Sequence, residues 1–145
     1  MPEVFDEQEV EAVINLRKWC DQDVEWKARD GYLEFRLAIV CEEAYPLQII
    51  GVFTAKTGYY RYNFFLGSQP IRMLHVGKAH HNPECDRTGK NHKHRWTDAH
   101  QERWAYEPGD LDLSDMETAF RGFVQECNIE FRGQFRKPAI QMILF

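Results

Sequence analysis

Five runs of alternating residues, separated by tight-turn signals, fill the stretch from Val24 to Val76, and this rhythm restricts the chain more than any other feature. Val24 and Trp26 alternate with Glu25 and Lys27 as far as Asp30-Gly31, a two-residue hairpin signal. Beyond it, Leu33, Phe35, Leu37 and Ile39 share one side of a strand while Glu34, Arg36 and Ala38 take the other. Leu47 to Thr54 is more continuously apolar, which predicts a central strand. Lys56-Thr57-Gly58 then turns the chain into Tyr59 to Leu66, where Tyr60, Tyr62, Phe64 and Leu66 alternate with Tyr59, Arg61, Asn63 and Phe65. Gly67-Ser68-Gln69-Pro70 makes the next turn, and Ile71 to Val76 reads as a fifth strand. Consecutive strands joined this closely predict an antiparallel meander.

Helical patterns bracket the strands. Asp6 followed by Glu9 is a capping pattern, and Val10, Val13, Ile14 and Leu16 make an apolar side that Trp19 closes, which predicts a helix over 6–19. Ser114 with Glu117 opens a second, in which Met116, Ala119, Phe120, Phe123, Val124 and Cys127 recur at helical spacing and Asn128 ends the element. Ile129 and Phe131 resume alternation, Arg103 to Glu107 reads as a short sixth strand, and Ile140 to Phe145 reads as a last strand docked on the core. The expected fold is α+β, one domain over 1–145. It is an antiparallel meander flanked by an N-terminal and a C-terminal helix, with a long histidine-rich loop folded across one end.

That loop is the anomaly. From Lys78 to Gln101 no period persists, and all six histidines fall between positions 75 and 100, where even scattering would put about one. The window 71–106 carries seven bases and four acids, inside a chain of net charge -5. An acidic body with one basic, histidine-rich segment excludes a uniformly basic duplex-DNA coat and predicts a local site for an anion or a metal. A solvated polar loop is the plain alternative. No long apolar run occurs and the N-terminus is acidic, so the expectation is a cytoplasmic protein with no membrane partner. The four cysteines form no C-x-x-C pair and predict neither disulfides nor a redox motif.

Two chemistries fit the loop. Zinc takes four N, S or O ligands, and Cys85, His81, His92 and His94 are the candidate set; a bound ion would order a stretch that apolar burial cannot. Alternatively, His80, His81, His92 and His94 titrate near neutrality and are candidates for proton transfer on a phosphodiester. Arg87, Lys90, Lys93 and Arg95 would then hold phosphates, and Tyr60, Tyr62, Trp96 or Trp104 would stack on bases. Histidines bonded to nearby carboxylates and carbonyls are the unremarkable alternative to both. The acidic remainder, Glu7, Glu9 and Glu11 among it, could face a basic protein partner, although solubility accounts for it more simply.

His80-His81-Asn82-Pro83 after a strand, followed by His92-Lys93-His94-Arg95-Trp96, resembles the pattern of small bacterial toxin-like domains of the TumE type over residues 71–100. Glu84 to Asn91, Cys85 included, is an insertion between the two clusters. The resemblance implies an α+β fold, a prokaryotic or phage-borne setting with an antitoxin or defence partner, and one site lined by His80, His81, His92 and His94. The resulting expectation is a protein that binds or cleaves RNA or single-stranded nucleic acid through this segment, as a ribonuclease-like hydrolase if it is an enzyme. The alternative is a non-enzymatic interaction module locked by zinc.

Overall fold

A computed structural model describes residues 5–77, 80–81, 87–88, 92–97, 101–106 and 115–138, with side chains at 5–77 and 115–138. Helix α1 spans Glu7–Asn15, and the Asp6 carboxylate accepts the Glu9 amide at 2.6 Å, as a capping residue should. It ends sooner than the sequence predicts. Leu16 is already extended, and Lys18–Cys20 forms strand β1, so Trp19 belongs to a strand and stacks under the Arg132 guanidinium rather than closing the helix. What stops α1 is Lys18. Its buried ammonium donates to the carbonyls of Val13, Ile14 and Leu16 at 2.7–2.8 Å, satisfying the helix end from outside it.

Strands β2 (Lys27–Arg29), β3 (Tyr32–Cys41), β4 (Leu47–Thr54), β5 (Tyr59–Leu66) and β6 (Gln69–Val76) form the expected meander. The first is shorter than predicted: Val24 instead bridges in parallel to Phe135, and Trp26 enters the core between them. β6 starts earlier than predicted, at Gln69, with a register shift where Phe64 and Phe65 meet it.

The stretch from 78 to 101 is not one irregular loop. His80–His81 (β7) pairs with Arg87–Thr88 (β8), and His92–Thr97 (β9) pairs with β6, followed by Gln101–Tyr106 (β10) on β9. Neither alternating set of His-Lys-His-Arg-Trp-Thr is apolar, so a hydrophobic period cannot reveal this strand. Helix α2 covers Met116–Glu126, capped by Asp115 rather than Ser114 because the Thr118 amide reaches Asp115 Oδ2 at 3.2 Å. Asn128, at φ 57, takes the left-handed conformation that ends the helix, and β11 (Ile129–Phe131) follows. Among the described residues the main sheet runs β10-β9-β6-β5-β4-β3-β1-β11, antiparallel except where β11 lies parallel to β1, an exception to the meander. The expected strand at Ile140 to Phe145 lies outside the described residues.

Both helices lie on one face. Val10, Val13 and Ile14 of α1, and Ala119, Phe120, Phe123 and Val124 of α2, are buried with Leu33, Phe35, Leu37, Tyr62, Phe64 and Leu74 of the strands. Phe35 is wedged between Trp26, Phe120 and Tyr62, with ring centroids 4.8, 5.8 and 5.9 Å away. Gly51 makes room for it, since a Cβ there would stand 1.9 Å from the Phe35 ring. No described helix is long and apolar enough to cross a membrane.

Candidate nucleic-acid interface

The opposite face of the sheet is open, and there β3, β4, β5 and β6 line a concave pocket of about 630 Å³. Register arranges it in rows. Lys27, Glu34, Val52, Arg61, His75 and His92 succeed one another across the strands. Arg36, Ile50, Asn63, Met73 and His94 form the neighbouring row. Ile50 and Val52 are half-buried and give the pocket an apolar floor, which explains why β4 reads as apolar on both faces. Tyr32 and Tyr59 stand at one end, 37% and 41% exposed. Gly77 supports the second ring: its φ of +98 suits glycine, and a Cβ there would come within 2.4 Å of Tyr59.

Glu34 is the one buried acid of this face. Its two oxygens are both engaged, Oε2 by Arg29 Nε at 3.2 Å and Oε1 by Arg36 Nε at 2.8 Å. The carboxylate is therefore neutralised, as a buried charge must be. Arg61 lines the same pocket with no ion pair among the described residues. The Asn63 amide oxygen is sealed from solvent with no hydrogen-bond partner there either.

The sequence-predicted site is divided by this arrangement. His92 and His94 continue the pocket rows by register, whereas Lys93 is set against Leu74 and Arg95 against Arg72. Leu74 is core and Arg72 reaches Glu11 of α1 at 2.5 Å, so that row belongs to the helix-bearing face. His80, His81 and Arg87 sit in the separate β7–β8 ladder, with His81 opposite Arg87. Cys85 and Lys90 lie outside the described residues, and among those described no three His, Cys, Asp or Glu gather as metal ligands.

Tyr60 and Tyr62 are not base platforms. Both are buried, and the Tyr62 hydroxyl donates to the Met116 carbonyl at 2.8 Å, with burial pushing its pKa well up. The exposed rings are instead Tyr32 and Tyr59, and the pocket cations are Arg36 and Arg61. Sequence reasoning had put Arg36 and Arg61 on the polar side of their strands without weighing that side as a site. His75 was likewise counted with the other histidines but left out, because its pairing with His92 depends on a strand that hydrophobic alternation does not show.

No curated protein and no solved structure matches the chain. A family model matches residues 5–129, a span that takes in both helices and every pocket-lining residue. The chain belongs to a family of unknown function, DUF6978.

Proposed function

We propose that the open sheet face binds single-stranded nucleic acid, with RNA as the ligand. The carrying observation is the pairing, in one pocket, of exposed tyrosine rings with two arginines whose terminal nitrogens are not committed elsewhere. Bases stack on exposed rings of any sequence context for about 1–3 kcal/mol each, while guanidinium groups hold the backbone. Strand-borne aromatics are usually core, but Tyr32 and Tyr59 are accessible while the strands' inner rings fill the core. His75 and the residue registered against it, His92, add two imidazoles beside the arginines, the groups a general acid–base step on a phosphodiester requires. In the toxin-like setting implied by the TumE-type resemblance, the bound strand is a cellular RNA.

Fluorescence anisotropy with a labelled ten-nucleotide RNA tests this. Arg36→Ala/Arg61→Ala should weaken binding at least tenfold and flatten the dependence of log affinity on log salt by about 2, one for each lost phosphate contact. Thermal melting of the variant should change little, since both side chains are largely exposed. A DNA strand of the same sequence should bind more weakly if the 2′-hydroxyl is read. Unchanged RNA affinity in the folded double variant would remove this face as the site.

A further inference from the structure

Resting on that reading, we infer that the pocket's arginines receive a terminal phosphomonoester of the bound strand in preference to an internal phosphodiester. Glu34 is the reason. A carboxylate in a nucleic-acid pocket repels the ligand unless it is neutralised, yet here it is buried and takes one Nε from each of Arg29 and Arg36. Docking through Nε fixes both guanidinium planes while leaving their outer edges turned to other uses. Neither Nη of Arg36 makes a hydrogen bond among the described residues, and Arg29 offers Nη1 only to its neighbour's carbonyl, at a long 3.5 Å. Glu34 is thus a positioning residue that holds two forks ready without consuming them.

Charge then selects the ligand. Arg29, Arg36 and Arg61 against Glu34 leave two positive charges around one stretch of the face, and Arg61 lies in the Glu34 row, separated from it only by Val52. An internal phosphodiester carries one negative charge. A phosphomonoester carries about -1.5 to -2 at pH 7, with its second pKa near 6, and presents three acceptor oxygens to the forks. The monoester matches both the charge and the number of donors better than the diester.

The test compares a 3′-fluorescein hexanucleotide RNA bearing a 5′-phosphate with the same strand ending in a 5′-hydroxyl, and a 5′-labelled strand with and without a 3′-phosphate. One phosphorylated end should bind at least tenfold more tightly than its hydroxyl counterpart at pH 7.5, with the advantage shrinking as pH falls below about 6 and the phosphate loses its second charge. Arg36→Lys keeps the charge but loses the planar fork, and should bring the ratio to within about twofold while the hydroxyl strand still binds. Arg29→Ala should reduce the ratio as well, and circular dichroism melts establish that both variants are folded. Equal affinity of phosphate and hydroxyl ends overturns this inference and leaves RNA binding standing. A preference that survives in Arg36→Lys also overturns it. Failure of every strand to bind removes both this inference and the reading beneath it.

Discussion

Gly51→Ala should destabilise the protein by about 3–4 kcal/mol, a large effect for one added methyl group. The new Cβ would meet Phe35 Cε2 at 1.9 Å and Cζ at 2.4 Å. Ordinarily a ring can turn aside, but Phe35 has Trp26, Tyr62 and Phe120 packed around it and is 2% exposed. It must therefore either leave the core or push β4 away from the helix layer. Urea unfolding should show a lower midpoint with an unchanged slope. Phe35→Leu in the Gly51→Ala background should cost at least 1 kcal/mol less than the two separate changes added together, because the smaller side chain relieves the collision. A loss under 1 kcal/mol for Gly51→Ala alone would show that the ring has room to move.

Lys18→Met should cost about 3 kcal/mol at pH 7, although methionine has nearly the same length and is the more apolar residue. Replacing a buried charge with an apolar group is often harmless when the partners are replaced too, but here the partners are backbone carbonyls and stay. Leu16 keeps a donor from Asn128 Nδ2 and Val13 keeps the Leu16 amide. Ile14 loses its donor, since the Lys18 amide that would have continued the helix is bonded to Asn128 O. Burial lowers the Lys18 pKa from 10.5 to about 8, the nearby thiols Cys127 and Cys41 opposing the shift. Between pH 8 and 10.5 the unfolded chain holds a proton that the folded chain has released, so wild-type stability should rise with pH relative to Lys18→Met. Parallel unfolding curves for the two proteins across that interval would contradict the assignment.

The meander was legible because its inner and outer residues differ in polarity. Leu33, Phe35, Leu37 and Ile39 announced β3, and β4 was bounded at Leu47 and Thr54 by a run too apolar to be anything but central. Both capping patterns marked helix starts, displaced by one residue in α2 because Asp115 is as good an acceptor as Ser114. The end of α1 was not legible, since apolar spacing continues to Trp19 while the terminating group, Lys18, acts through three hydrogen bonds that no periodicity records. β9 was hidden for a different reason: its alternation is between histidine and base, not between apolar and polar. The sequence therefore directed attention to the histidine segment. The described pocket, however, is built on strands whose polar alternates looked like ordinary solvated residues, and the two meet only through the register of β6 with β9.

Zero-length ultraviolet crosslinking of a single-stranded RNA, followed by mapping of the modified peptides, asks directly whether the open face is where the strand lies. Adducts on the peptides containing Tyr32 and Tyr59, lost on Arg36→Ala/Arg61→Ala, are the predicted result. Adducts confined to α1, α2 or the residues beneath them would contradict it.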